Sequence, residues 1–314
     1  MPQWPDIPYE PWRETCDALH LYAQIVGKYR LARTPWVNHS WHATFYVAAR
    51  GITSGPIPDE GGSIEAMFDL IAHRLILATS YGRTSSLALE PMSVASFHER
   101  FLKALRAIGG SAKISRIPNE IPAALPFDED VAERPYDGDA VARYFHALAA
   151  VDAVMKRFRT GFLGKVSPVH LFWGSFDLAV TRFSGRPAPP HPGGIEGLPD
   201  RVTREAYSHE VSSAGFWPGG MGIDYPAFYS YAYPGPDGFS EAHVEPSDAF
   251  FSSDMGEFIL PYEAVRLSGE PEATLLRFLE SSYVAAAELG HWDRAALECP
   301  IGRPLRPRPV PSIP

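Results

Sequence analysis

SPVHLFWGSFDLAVTRFSGR, from Ser167 to Arg186, is too apolar to face solvent on both sides, yet it carries His170, Asp177 and Arg182. From Val169 to Phe183 it predicts a mostly buried strand. Burying an isolated carboxylate is costly, so Asp177 should meet a cation, hydrogen-bond donors, a metal or water. In a regular strand Trp173, Ser175 and Asp177 share one face and His170 takes the other. His170 and Asp177 therefore belong to one site only if Gly174 introduces a bulge or a bend.

Outward from this stretch, the chain alternates between two periodicities. Trp12, Cys16, Leu19, Ala23 and Val26 recur at the spacing of one helix face. Period-two patterning then predicts strands at Trp36 to Ala49, Ile64 to Leu70, Arg74 to Thr79 and Thr84 to Leu89, an antiparallel meander. Ser93 caps a helix that Gly109-Gly110 stops. After a connection carrying Pro118, Pro122 and Pro126, a second long helix starts near Asp137 or Asp139. Strands follow again at Val169 to Phe183, Tyr207 to Ala214, Pro226 to Tyr233 and Glu257 to Tyr262, and Pro271 opens a last helix.

The order helix, strands, helix thus occurs twice. Moving the chain along itself by 132 residues places Val37, Trp41 and Arg50 on Val169, Trp173 and Arg182. The expected fold class is α+β: two pseudo-repeated helix/antiparallel-sheet/helix units packed around a shared cleft. The first unit spans residues 1–117 and the second 118–298, with a Pro/Gly-rich loop insertion at 187–203 that reads as a surface segment or lid. Residues 299–314 alternate proline with arginine and predict a disordered tail.

Composition bounds the class. The 314 residues carry a formal net charge of -9, with 45% hydrophobic and 21% charged residues, ordinary for a folded chain. A diffuse negative charge argues against a nucleic-acid partner. No run of eighteen apolar residues predicts a membrane span. Two cysteines far apart, Cys16 and Cys299, predict no disulfide framework, which suits a cytoplasmic location.

The residues that can carry chemistry fall in two segments, His170 to Arg186 and Tyr207 to Glu210. His170, Asp177, His209 and Glu210 are the candidate catalytic set. His170 and His209, with a carboxylate, also have the ligand types of an open divalent-metal site, although no fixed spacing supports one. Arg182 and Arg186 are candidates for an acidic substrate group. Trp173, Tyr207, Trp217 and Tyr229 belong to an aromatic wall suited to a planar or amphipathic small-molecule ligand. Each has a plain alternative as a satisfied structural group. Phosphate-loop, dinucleotide and nucleophile-elbow signatures are missing.

The phrases from Trp36 to His42, from His170 to Arg186, and Tyr207-Ser208-His209-Glu210 with Gly215 to Gly219 resemble a bacterial family, domain of unknown function 5996. The resemblance covers nearly the whole chain except its proline-rich tail and implies no activity, cofactor or catalytic residue. Residue chemistry leaves two expectations: an enzyme on a small molecule using a His/carboxylate site, metal-dependent or not, or a non-catalytic small-ligand binder.

Overall fold

Helix α1 (Arg13–Arg33) carries Tyr22, Ile25, Val26 and Tyr29 fully buried on its inner side. Strands β1 (Tyr46–Ala48), β2 (Gly51–Asp59), β3 (Gly62–Asp69), β4 (Arg74–Thr79) and β5 (Thr84–Ala88) form an antiparallel meander in chain order. The short strand β6 (Met92–Ser93) leads into α2 (Val94–Ala107), whose first turn is closed by Ser93 accepting from the Ser96 N–H. Strand β7 (Glu133–Arg134) pairs with β6, and α3 (Gly138–Arg159) is capped by Asp137 accepting from the Ala140 N–H. The computed structural model describes residues 4–308 apart from Ala112 and Met221.

The second sheet contains β8 (His170–Phe172), β9 (Asp177–Pro187), β10 (His209–Trp217), β11 (Ala227–Tyr233), β12 (Phe250–Ser252) and β13 (Glu257–Pro261), in the spatial order β12-β13-β11-β10-β9-β8. Helix α4 (Asp200–Ala206) lies in the insertion before β10. Helices α5 (Tyr262–Leu267), α6 (Pro271–Leu289) and α7 (Arg294–Leu297) follow the last strand. The two large sheets touch edge to edge, where Phe45 and Leu171 exchange backbone hydrogen bonds of 2.9 and 2.8 Å. One apolar core runs through both halves, from Ile7 to Trp292. The chain is an α+β protein with antiparallel sheets, and among the described residues no helix is long and apolar enough to cross a membrane.

Three expectations are corrected. The segment from Trp36 to Ala49 is not one strand: a 3-10 turn at Asn38–Ser40, with His39 and Ser40 at positive φ, breaks it, and only Tyr46–Ala48 is extended. Val169 to Phe183 is not one strand either, but a hairpin whose turn is Trp173 to Phe176, with Phe176 at φ 57°. Trp41 and Trp173 consequently both stand in turns, so the 132-residue offset does not superpose two Trp-centred strands. Beyond the second sheet, the chain crosses the end of α3, with the Gly302 N–H donating to Thr160 Oγ1 at 2.9 Å. Of the expected tail, residues 309–314 lie outside the described residues.

Candidate functional site

Because directly paired antiparallel residues point to the same side, the register sorts the second sheet into two faces. Leu178, Val180 and Arg182 of β9, Ala214 and Phe216 of β10, and Phe228 of β11 turn towards α3, α5 and α6. Asp177, Ala179, Thr181 and Phe183, with Val211, Ser213 and Trp217, Tyr229, Tyr231 and Tyr233, and Glu257, line a cavity of about 450 Å³ on the opposite face. The 187–203 insertion and α4 cover it with His191, Ile195, Leu198, Val202 and Thr203. Its size falls in the range of small-molecule sites.

Asp177 opens β9 and is buried on the cavity floor, where Ser175 Oγ donates to Oδ1 at 2.5 Å and the Tyr229 hydroxyl donates to Oδ2. Tyr229 reaches it because residue 215 has no side chain: a Cβ there would fall 2.3 Å from the tyrosine ring. Glycine inside a strand signals such close approach. Burial pushes the Asp177 carboxyl up, and the two hydroxyl donors oppose that rise. The Tyr207 and Tyr231 hydroxyls bond each other at 2.8 Å, and burial moves Tyr207 up to about 12, so it stays protonated.

Two further carboxyls face Asp177. Glu257, at the start of β13, is 7% exposed; Glu120 enters from the proline-rich connection at φ 59°. Burial first, and then the charge of Asp177, push Glu120 up to about 7 and Glu257 to about 8, with Lys28 partly opposing the rise at Glu120. Neither carboxyl has a hydrogen-bond or ion-pair partner among the described residues.

The position of Glu120 is set by a polar stripe on α1, where His20, Gln24 and Lys28 recur every four residues, buried. Gln24 Nε2 donates to the Asn119 carbonyl at 2.8 Å while its Oε1 accepts from the Asn119 N–H at 2.7 Å, as a strand neighbour would. Lys28 Nζ donates to Asn119 Oδ1, and burial lowers it to about 8. His20 Nε2 bonds the Gly174 carbonyl at 2.9 Å, tying the same stripe to the β8–β9 turn. Left-handed backbone at a non-glycine residue costs energy and recurs at functional sites. Three cavity residues, His39, Ser40 and Glu120, adopt it.

Gly174 leaves room for the Glu120 carboxyl, since a Cβ there would lie 2.0 Å from Glu120 Oε1. The clash is with the end of a flexible side chain, so Gly174→Ala is expected to swing that carboxyl aside and to change stability by no more than about 1 kcal/mol. A ¹³C carboxyl titration should show the Glu120 midpoint falling from about 7 towards the usual carboxylate range. An unchanged midpoint counts against this placement.

Of the residues expected from sequence, the fold brings Asp177, Tyr207, Trp217 and Tyr229 to one cavity and leaves the others outside it. The hairpin does return His170 to the Asp177 side, since His170 pairs with Ala179 and Phe172 with Asp177. Phe172 then stands beside His170 at 4.7 Å, and neither ring nitrogen of this fully buried histidine has a partner. Burial brings His170 down to about 3, which keeps it neutral.

His209 lies at the far end of β9, opposite Pro187, with the rings of His39 and Trp41 between it and His170. The expectation of a shared His170/His209 metal site is therefore corrected. Among the described residues no group of three or more His, Cys, Asp or Glu could hold a metal ion.

Glu210 and Arg186 pair with each other at 2.7 Å, and Arg186 also donates to the carbonyls of Gly290 and His291. Arg182 is on the helix-facing side, stacked 3.5 Å over Phe158 and paired with Glu280 at 3.3 Å, so it cannot take an acidic substrate group in the cavity. Trp173 packs over Gly27 and donates to the Ala43 carbonyl at 2.6 Å.

His39, whose three-residue spacing from His42 suits no ligand pair on a strand, nevertheless reaches the cavity rim. Its Nδ1 meets the Ala206 carbonyl at 2.6 Å and its Nε2 meets Lys165 Nζ at 2.7 Å, which fixes the neutral tautomer protonated on Nδ1. Glu120 and Glu257 give weaker signals in the sequence, one in a loop and one at a strand end.

These features define an α+β protein with a tyrosine-walled, carboxyl-floored cavity on one face of an antiparallel sheet. The chain belongs to the family of unknown function DUF5996, whose profile matches residues 4–299. No curated protein and no solved structure matches it.

Proposed function

We propose that the protein is an enzyme acting on a small molecule in this cavity by general acid–base chemistry. The observation that carries the reading is the convergence of Glu120, Asp177 and Glu257 on one cavity. Of the three, Asp177 has both oxygens hydrogen-bonded, which favours its anion. Its charge, added to burial, raises Glu120 and Glu257 to about 7 and about 8, where a carboxyl can both give and take a proton near neutral pH. The insertion lays His191, Ile195, Leu198, Val202 and Thr203 over the cavity, which narrows access to it. Cys16 and Cys299 are free thiols, in keeping with a reducing, cytoplasmic setting.

The test is proton NMR of a defined mixture of small metabolites incubated with wild type and with Asp177→Asn. Wild type is expected to consume at least one compound, and Asp177→Asn to lower that rate by about a hundredfold or more. Compounds that bind without being consumed would sink the enzyme reading and leave a binding protein.

A further inference from the structure

We infer that the cavity takes a small organic cation, an ammonium group carried on a planar ring or short hydrocarbon chain, with the ammonium between Glu120 and Glu257 and the hydrocarbon against the tyrosine wall. This inference rests on the reading of the cavity as a small-molecule site and names the class of molecule.

Four observations carry it. Glu120 and Glu257 point into the cavity with no partner of their own, and no lysine or arginine is among its described lining residues. For want of a counter-charge Glu257 keeps its proton in the folded protein, and a ligand that brings a positive charge favours its anion, so an ammonium is selected over a neutral group. The walls suit the same charge: Tyr229 lies parallel to Tyr231 at 6.0 Å and tilted against Trp217 at 4.3 Å, and the faces of such rings attract ammonium groups.

Independently of the acids, Thr203 Oγ1 is buried without a partner on α4, in a residue that is 1% exposed and lines the cavity. Buried polar atoms in native structures are nearly always bonded, so the Thr203 hydroxyl, which can accept, awaits a donor on the ligand. An inorganic cation is the poorer fit, because no three described carboxyl or imidazole groups converge closely enough to ligate one, whereas an organic ammonium needs only one or two carboxylates and gains from the ring faces.

The test compares three probes of nearly equal shape, 2-phenylethylamine, 2-phenylethanol and 3-phenylpropionate, by calorimetric titration of the full chain at neutral pH. The amine is expected to bind at least about tenfold more tightly than the alcohol, a difference of about 1.4 kcal/mol, and the acid not to bind. Glu257→Gln should remove most of that preference while leaving the alcohol's affinity unchanged; Glu120→Gln should do the same in part.

Equal binding of amine and alcohol, preference for the acid, or no binding of the amine at millimolar concentration overturns the inference. The two readings fail separately. Amine preference without consumption of any compound refutes the enzyme and keeps the cation, whereas consumption of a neutral compound with no amine preference does the reverse.

Discussion

Glu257→Gln is expected to make the protein more stable, and by an amount that grows from pH 5 to pH 8. Glu257 is an acid whose folded value, about 8, lies above its unfolded value of about 4.3. Between those two values the folded state keeps a proton that the unfolded state has released. Stability contributed at this position therefore falls as pH rises through the window and levels off above about 8. The cause is burial without a partner, to which the charge of Asp177 adds.

A glutamine of the same shape has no charge to bury. A tenfold change in proton affinity corresponds to about 1.4 kcal/mol, so the difference between variant and wild type should reach about 4–5 kcal/mol at pH 8 and be about 1 kcal/mol at pH 5. Urea unfolding at the two pH values measures it. A variant less stable than wild type at both would mean that Glu257 has a favourable partner in the folded protein. Loss of stability at a site kept for binding is a common trade-off, and here the same substitution should stabilise the fold and remove most of the amine preference.

The second large effect is on the opposite face of the same sheet. Arg182→Ala is expected to destabilise the fold by about 3–5 kcal/mol while leaving the affinity for 2-phenylethylamine unchanged in the protein that remains folded. Arg182 is 1% exposed, its Nη2 donates to the Phe158 carbonyl at 2.6 Å, and its guanidinium lies 4.3 Å from the Tyr283 ring. Truncation removes packing between α3 and α6 and leaves Glu280 without its guanidinium, while the Phe158 carbonyl keeps the Gly161 N–H at 3.0 Å. Arg182→Met, which keeps the packed stem, should lose less. Unchanged stability with lost amine binding would return Arg182 to the cavity and refute the assignment of faces.

Both predictions depend on parity within β9, and parity is only partly legible in the sequence. Period two places Asp177 and Arg182 on different faces as soon as the strand is recognised, so local pattern already separates them in principle. The chain reversal at Trp173 to Phe176 is less visible. Phe-Trp-Gly-Ser-Phe reads as continuous strand because its aromatics have high strand propensity, and the turn is held from outside by His20 and Gln24 of α1 bonding the Gly174 carbonyl. That support comes from residues about 150 positions away, beyond the reach of any local pattern.

Local chemistry determined a good deal: the α+β class, strands β3 to β5, the Ser93 cap, a helix start near Asp137 or Asp139, the proline that opens α6, and the need of Asp177 for a partner. These follow from side-chain periodicity, backbone capping and the cost of burying charge, all of which act within one element. Tertiary structure alone decided which polar groups meet. It put His170 behind Phe172, His209 at the other end of β9, Arg182 among the helices, and Glu120 and Glu257 opposite Asp177, because sheet register and loop return bring together residues that no spacing in the chain relates.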